Sequence, residues 1–210
     1  MEAAAKMFHV KHQAWDEELR QLGADIGPTR LDALAAYEEA LRDRAVPRGF
    51  VSPGDVDRLW ERHIRDSLRA VPEIPPGSRV ADLGSGAGLP GLPLAIALPS
   101  CSLTLVELRR GRVAFLEAVV DDLGLGNVGV FLGKTDSAPG LFDVCLARAF
   151  ASPAGSWAAA VSLLEEGGRL IYWAGAGLDV AELGGLGVSW RVSTPSDLAE
   201  SGPLVIMGRQ

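Results

Sequence analysis

The stretch VADLGSGAGLPGLPL, which runs from Val80 to Leu94, decides the fold of this chain. Together with Arg79 its beginning has the apolar character of a short buried strand that ends at Leu83. A run of glycines follows, and a predicted helix begins near Pro93. Glycine has no Cβ and accepts positive φ, so such a turn lets backbone N–H groups approach a ligand closely. We therefore predict a ligand site at the end of the first strand.

Two binding patterns overlap in this glycine turn. Counted from Gly84, the spacing is G-x-G-x-G, which with Asp82 before it is typical of S-adenosylmethionine (SAM) binding turns. Counted from Gly86, the spacing is G-x-G-x-x-G, which is also found in dinucleotide-binding turns. The first count is favoured because it places its first glycine directly after the strand. A strand-to-helix turn with a structural role alone is the remaining alternative.

Strands and helices alternate after this turn, which predicts a parallel sheet wound by crossovers. Strands are predicted at 79–83, 102–108, 127–132, 142–148 and 169–173, with helices at 111–123 and 152–166. Two final strands at 188–193 and 204–207 are expected as an antiparallel pair at one edge. The expected fold class is a doubly wound α/β, mostly parallel seven-stranded sheet of the Rossmann-like methyltransferase type.

Helical patterns precede the sheet and predict an N-terminal helical cap over 1–71, before a domain over 72–210. Apolar residues follow helical periods over 13–22, 31–46 and 56–71. On the third helix, Arg62, Arg65, Asp66 and Arg69 lie opposite the apolar side. The seven arginines of 42–69, with Arg109, Arg110 and Arg112 after strand two, form either a local basic face or solvated helix faces. Residues 1–12 are either a disordered leader or an arm that orders on a partner.

Composition excludes several classes of protein. The 210 residues are 48% hydrophobic, which indicates a globular chain, and no run of about 18 apolar residues predicts a membrane span. Without a signal-peptide pattern we expect a cytoplasmic protein, and we expect a monomer. Isolated Cys101 and Cys145 are interpreted as buried apolar residues. The net charge of −7 argues against a generic nucleic-acid coat.

No P-loop, Ser/His/Asp arrangement or metal-ligand cluster stands out in the sequence, so we expect a cofactor to carry the chemistry and no metal to take part. His63 is the one histidine outside the leader. A packed role with a hydrogen bond, with Asp66 as a possible partner, is favoured over a catalytic role.

Polar residues at the predicted strand ends are candidates for the ligand site. Glu107 ends strand two, beside the tip of strand one, where an acid can accept both ribose hydroxyls of a nucleoside. Thr135 and Asp136 follow strand three and are placed to contact an adenine. Arg148 ends strand four, either as a site residue or in an ion pair with an acid such as Asp82. Asp82 itself either binds the ligand or holds the turn through backbone N–H groups.

Five segments resemble the glucose-inhibited division protein B family. They are RHIRDSL (62–68), DLGSGAGLPGLPLAI (82–96), LTLVE (103–107), FLEAVVDDLGLGNV (115–128) and ARAFAS (147–152). The family consists of SAM-dependent enzymes that methylate N7 of a guanine in 16S ribosomal RNA of the small subunit. The resemblance covers most of residues 31–173.

The resemblance implies roles for individual residues. Gly84, Gly86 and Leu89 would lie against SAM, and Thr135 with Asp136 would hold its adenine end. Arg148 would face the cofactor or the target base, and Glu107 is similar to the ribose acid of the family. The small ribosomal subunit or its 16S RNA would be the partner, with no membrane involved.

Guanine N7 carries a free lone pair at neutral pH, so the implied reaction needs alignment more than a catalytic base. Three positions depart from the family pattern: Ala174 replaces the usual lysine, Lys134 an arginine, and the C-terminal segment lacks its usual basic residues. Two alternatives therefore stay open. One is a divergent SAM-dependent methyltransferase that acts on a small molecule, and the other is a non-catalytic SAM-binding assembly module.

Overall fold

The computed structural model describes residues 14–24, 26–179, 181–193 and 201–209. Over these residues it confirms the predicted α/β fold, with a seven-stranded sheet in the order β3-β2-β1-β4-β5-β7-β6. The strands are β1 Arg79–Leu83, β2 Ser102–Glu107, β3 Val128–Leu132, β4 Phe142–Arg148, β5 Leu164–Trp173, β6 Ser189–Ser193 and β7 Leu204–Gly208. The prediction for residues 1–12 lies outside the described residues.

Helices connect and cover these strands. The α-helices are α1 over 14–21, α2 Pro28–Ala40, α3 Asp66–Leu68, α4 Gly91–Ala97, α5 Arg110–Asp122, α6 Pro153–Ala160 and α7 Ala181–Gly184. Ser152 caps α6 by accepting a hydrogen bond from the backbone N–H of Gly155, with Pro153 in the first turn, as the sequence predicts. No helix among the described residues combines the length and the apolar character that crossing a bilayer requires.

Pairing of the strands places a crevice at the carboxyl end of β1. β1 pairs in parallel with β2 on one side and with β4 on the other, so the chain reverses its direction of winding at β1. Ligands of open α/β sheets bind at such a switch point. β7 runs antiparallel to both β5 and β6, which confirms the expected antiparallel pair at this edge.

Apolar side chains cover both faces of the sheet, in two clusters. Val144 and Leu146 of β4 belong to a cluster that includes α2, α4, α5 and the N-terminal helices. Cys145 and Ala147 alternate with them and belong to a cluster on the side of α6 and α7. This period of two, with both faces apolar, is what a buried parallel strand requires. The described helices of 14–71 thus share one hydrophobic cluster with the sheet.

The third predicted helix is broken into three unlike helical turns. A 3₁₀-helix at Pro53–Arg58 is followed by a π-helix at Trp60–Arg65, which continues as α3. We call residues 60–68 the cap helix. Its predicted apolar side is buried, but Arg65 and Asp66 on the opposite side are buried as well. That opposite side lies against the ends of β4 and β5, where the indole Nε1 of Trp173 donates to the Asp66 backbone oxygen at 3.1 Å.

The start of β5 differs from the prediction. The sequence predicts a helix through Glu166, but the helix ends at Ala160 and β5 begins at Leu164. Leu164 pairs with Phe142 of β4, and the register shifts before Val144 pairs with Arg169. The intervening glycines disfavour a helix, and pairing with β4 stabilises an irregular strand instead. Tertiary pairing thus overrides the local helical pattern.

One hydrogen bond connects the cap to the glycine turn. The hydroxyl of the fully buried Tyr37 on α2 donates to the backbone oxygen of Ala87 at 2.8 Å. A Tyr37→Phe substitution leaves that oxygen without this donor, so the free energy of unfolding in urea should fall by about 1–2 kcal/mol.

Tyr172→Phe is the matched comparison, because its hydroxyl donates to the Ala151 oxygen over a longer 3.2 Å in a part-buried site. We expect a smaller loss there. Equal stability of Tyr37→Phe and wild type would contradict the role given to this bond.

Candidate functional site

The glycine turn is closed by Asp82. The backbone N–H of Gly91, at the start of α4, donates to Asp82 Oδ2 at 3.1 Å. A Cβ at Gly91 would lie 2.7 Å from that same oxygen, so only glycine lets the helix come this close. Asp82 therefore holds the turn through a backbone N–H group, which is the second of the two roles expected for it.

The other carboxylate oxygen of Asp82 is available to a ligand. Oδ1 is buried and has no hydrogen-bond partner among the described residues. Burial raises the pKa of Asp82 from 3.8 to about 7, against the opposing effects of a hydrogen bond with the Ser85 side chain, the Gly91 hydrogen bond and the Arg148 charge. A cation bound beside Asp82 would stabilise the charged form of this buried carboxylate.

Glu107 joins the tip of β2 to the glycine turn. Its Oε2 accepts from the Gly86 N–H at 3.0 Å and its Oε1 from the Arg109 N–H at 2.8 Å. The Arg112 guanidinium lies 3.7 Å away. Each carboxylate oxygen can accept more than one hydrogen bond, so Glu107 keeps capacity for a diol while it also fixes the turn.

Thr135 and Asp136, the two residues predicted to contact the adenine, lie close to the carboxyl end of β2. Thr135 and Asp136 form a short 3₁₀ turn after β3, and the exposed Asp136 accepts from the Ser137 hydroxyl at 3.0 Å. The Gly133 N–H just before this turn donates to the Glu107 backbone oxygen at 3.1 Å. Leu89, half-buried, lies within the glycine turn on the other side of β2.

Arg148 is held by the cap helix at one end of its guanidinium. Nη2 lies 2.6 Å from the Arg62 backbone oxygen, 3.3 Å from Nδ1 of His63 and 3.3 Å from Oδ2 of Asp66. The carboxylate partner is therefore Asp66, and the suggested pair with Asp82 is wrong. The cap helix approaches β4 closely enough to place its own acid there. Burial lowers the pKa of Arg148, and the charge of Asp66 opposes this.

Nη1 at the other end of this guanidinium is buried and has no hydrogen-bond partner in the described part of the chain. The methionine end of SAM carries an ammonium and a carboxylate group. Asp82 Oδ1 and Arg148 Nη1 are buried atoms of the opposite charges, left unpaired at the tips of adjacent strands. The residues present therefore fit SAM.

His63 lies between Arg148 and a residue that the sequence patterns did not single out. Its Nε2 is 3.0 Å from Oδ2 of Asp55, so its carboxylate partner is Asp55 and the suggested Asp66 is wrong. Asp55 lies in the 3₁₀-helix before the cap helix, eight residues from His63, a spacing that no continuous helix would bring together. The sequence held no signal for this pair.

Phe150 is a second residue missed by the sequence patterns. Ala149 takes a left-handed conformation with φ of 50°, and Phe150 after it covers the glycine turn. A Cβ at Gly84, which has φ of 69°, would lie 2.8 Å from the Phe150 ring. Residues 148–152, at the carboxyl end of β4, thus contact both the glycine turn, through Phe150, and the cap helix, through Arg148.

A basic cavity of about 800 Å³ opens beside Arg148 at the carboxyl ends of β4 and β5. The cap side contributes Arg58, Arg62, Arg65 and Arg69 together with Glu61 and Asp66. The strand side contributes Tyr172 to Ala176, which includes Ala174, and Gly202 lies before β7. Arg148 thus belongs both to this cavity and to the predicted cofactor site.

Arg62 and Arg65 of the cap helix, and Arg69 directly after it, do not form a simple solvated face. Arg69 is buried and lies 2.8 Å from Asp66 Oδ1 and 3.0 Å from the Gly202 oxygen. Arg65 lies 3.1 Å from Glu18 Oε2. These contacts connect the cap to the edge of the sheet, while Arg62 is 54% exposed at the cavity mouth.

The described residues contain no cluster of histidines, cysteines and acids that could hold a metal ion. Cys101 and Cys145 are both buried, as expected, and free.

Comparison with known proteins finds one family that matches most of this chain. The family model described as "rRNA small subunit methyltransferase G" matches residues 30–182. A protein of that name from Pseudarthrobacter chlorophenolicus is 50% identical over 122 residues, which are 57% of this chain and 56% of the relative. The protein of that name from Corynebacterium diphtheriae is 38% identical over 175 residues, 80% of this chain and 76% of the relative.

Solved structures share the fold at low sequence identity. A mutant of MtNAS in complex with S-adenosylmethionine has a TM-score of 0.60 at 19% identity, over 85% of this chain and 73% of that chain. Fibrillarin from Aeropyrum pernix, with bound S-adenosyl-L-methionine, has a TM-score of 0.51 at 18% identity, over 63% of this chain and 67% of that chain. These likenesses support the fold alone.

The raised pKa of Asp82 predicts how stability depends on pH. Between about pH 4 and about pH 7, the folded state keeps a proton on Asp82 that the unfolded state has released. The contribution of Asp82 to the free energy of unfolding should therefore fall as the pH rises through this window. Asp82→Asn removes the titration, so its stability relative to wild type should rise by a few kcal/mol between pH 4 and pH 7. Urea unfolding at several pH values measures this difference, and a difference that does not change with pH would contradict it.

Proposed function

The chain belongs to the ribosomal RNA small subunit methyltransferase G family, and from that premise we propose that it transfers a methyl group from SAM to N7 of a guanine in 16S ribosomal RNA. The observation that carries the proposal is that the family match over 30–182 includes both the glycine turn and Arg148 beside the basic cavity. The first relative is matched over 56% of its length.

We propose that SAM lies along the carboxyl ends of β1, β2 and β3. Gly84, Gly86 and Leu89 would line it, Glu107 would accept from the ribose, and Thr135 with Asp136 would hold the adenine. Asp82 and Arg148 would take the two charges of the methionine end. When bound, SAM supplies a methyl group on a positively charged sulfur.

The target base would enter the basic cavity at the ends of β4 and β5. N7 of guanine has a lone pair and no proton to lose, so the site needs to align the base and exclude water. The cavity offers cations for the RNA phosphates and aromatic walls, Tyr172 and Trp173, for a splayed-out base. The local positive charge is compatible with a net charge of −7, because RNA contact depends on the face that meets it.

A small-molecule substrate is the second candidate function. Ala174, which lines the cavity, stands where the family usually has a lysine, so the cavity has one cation fewer than the family pattern implies. A smaller or less anionic substrate would suit that change.

A single assay distinguishes these functions. The chain is incubated with radiolabelled SAM and, in parallel, with small subunits that lack N7 methylation, with naked 16S RNA, and with a small-molecule extract. Label in RNA at guanine N7 supports the proposal, and label in the extract alone supports the second candidate. SAM binding without transfer to any of them would indicate a non-catalytic assembly module.

Arg148→Ala should reduce methyl transfer by about 100-fold or more, because it leaves Asp66 buried without this partner and removes the cation from the site. Arg148→Lys should recover little of the methyl transfer, since a single ammonium cannot both bind the cap helix, as Nη2 does, and contact a ligand, as Nη1 would. Arg44→Ala is the control, because Arg44 pairs with Asp122 on the surface. Full activity of Arg148→Ala would remove Arg148 from the site.

Glu107→Gln should weaken SAM binding about tenfold, because an amide NH₂ cannot accept from Gly86 or Arg109 and offers one acceptor fewer to a diol. Glu165→Gln is the control, since Glu165 pairs with Arg79 at the amino ends of β5 and β1, away from the SAM site. Calorimetric titration with SAM measures the affinity. Unchanged affinity in Glu107→Gln would leave Glu107 with a structural role alone.

A further inference from the structure

We propose that His63 and Asp55 are positioning residues for Arg148: Asp55 orients the imidazole so that Nδ1 accepts from the guanidinium and fixes its direction. This inference rests on the proposed function only in that Arg148 is proposed to contact the cofactor or the target. The roles of His63 and Asp55 follow from their contacts with Arg148 and with each other.

A continuous chain of contacts runs from the 3₁₀-helix to the tip of β4. Asp55 Oδ2 lies 3.0 Å from His63 Nε2, and His63 Nδ1 lies 3.3 Å from Arg148 Nη2. The other oxygen of Asp55 accepts from Arg62 Nη1 at 2.9 Å. His63 and Asp55 are 15% and 13% exposed, so water competes little for these bonds.

These contacts specify the protonation state of His63. A carboxylate can only accept and a guanidinium can only donate, so the contacts with Asp55 and Arg148 are both satisfied when Nε2 carries the proton and Nδ1 is bare. Three charged groups act on the ring: Asp55 on the 3₁₀-helix, Arg148 on β4 and Arg62 on the cap helix. Burial and the Arg148 charge lower the pKa of His63, while the bond to Asp55 raises it, and the net effect is a lowering.

Fixing Nη2 is what directs the rest of Arg148. Nη2 donates to the Arg62 oxygen and to His63 Nδ1 and lies 3.3 Å from Asp66 Oδ2, so that end of the planar group is held against the cap helix. The unpartnered Nη1 is thereby left for a ligand. A proton on Nδ1 would turn this acceptor into a donor that repels Nη2. Arg148 would keep two of its three contacts but lose its alignment.

A catalytic-base role for His63 is not favoured by the same geometry. Both ring nitrogens are engaged inside the protein, one with Asp55 and the other with Arg148. Attack by guanine N7 releases no proton that a base would have to accept at that step. The contacts of His63 therefore point to orientation of Arg148.

Three variants test the positioning role by methyl transfer between pH 5 and pH 8.5. His63→Asn places an amide oxygen where Nδ1 was and does not titrate, so kcat/KM at pH 8 should stay within about threefold of wild type. Its activity should also lose the fall that His63 protonation causes in wild type below about pH 6.5. His63→Leu has no acceptor, and its kcat/KM should fall about tenfold or more at every pH.

Asp55→Asn gives a signature that a merely structural role would not. Without the carboxylate, the pKa of His63 should fall further, so the acid limb of the pH profile should move to lower pH while the activity at pH 8 also falls. Glu165→Gln, which removes an acid that pairs with Arg79 at the amino ends of β1 and β5, is the control and should leave the position of the acid limb unchanged.

Nuclear magnetic resonance of the chain with ¹⁵N-labelled histidine tests the contacts without any activity. We expect His63 at pH 7.5 to carry its proton on Nε2, with Nδ1 bare, and to titrate below 6.5. A proton on Nδ1 at neutral pH, or an unshifted titration, would overturn the proposal even if methyl transfer succeeds.

The two proposals fail in different ways. If wild type neither binds the demethylated product of SAM nor transfers methyl groups, the proposed function is wrong, and the resonance experiment still decides the His63 contacts. If wild type is active and His63→Leu has the same kcat/KM and the same acid limb, the positioning role is wrong. Urea unfolding of His63→Leu and His63→Asn excludes general loss of structure as the cause of any difference.

Discussion

The hydrogen bond from the Gly91 N–H to the buried Asp82 carboxylate is the constraint on which the site depends. It draws the start of α4 onto the tip of β1, so that the glycine turn folds tightly in between. Glu107 accepts from Gly86 across that turn and thereby brings the tip of β2 against it. An acid is costly to bury, and here the cost is reduced by a backbone donor on one oxygen while the other oxygen remains unpaired. The unpaired Oδ1 of Asp82 allows the turn to bind a ligand as well as to connect β1 to α4.

Arg148 complements this turn from the opposite side of β1. Its charge is compensated by the cap helix, through Asp66 and the Arg62 backbone oxygen, and not by the acid of the glycine turn. The π-helical turn that widens the cap helix matters here, because such turns alter which residues face a neighbouring element. As a result, the cap contributes to the site directly and does more than cover apolar surface.

Local patterns predicted the fold and the first half of the site, but not the contacts between distant elements. The apolar strand and the glycine spacing around Gly84 required only neighbouring residues, and Glu107 followed from the position of a strand end. Asp55, Tyr37 and Phe150 were missed because each acts on a residue that is distant in sequence or in an irregular turn. The wrong partner for Arg148 has the same origin, since a cap helix that packs across the strand ends cannot be inferred from its own periodicity. The premature start of β5 depended likewise on pairing with β4.

Because β7 lies between β5 and β6, the sheet can be completed only after the last strand of the chain has been added. β6 precedes β7 in the chain and, among the described strands, pairs with β7 alone, so it cannot join the sheet until the later strand has docked. Until then, β5 presents an open row of backbone donors and acceptors, which is a template for self-association. The segment before β7 also supplies the Gly202 oxygen that accepts from Arg69 beside the cavity. Chains that end before residue 201 would therefore lack this part of the cavity wall and would also expose the backbone edge of β5.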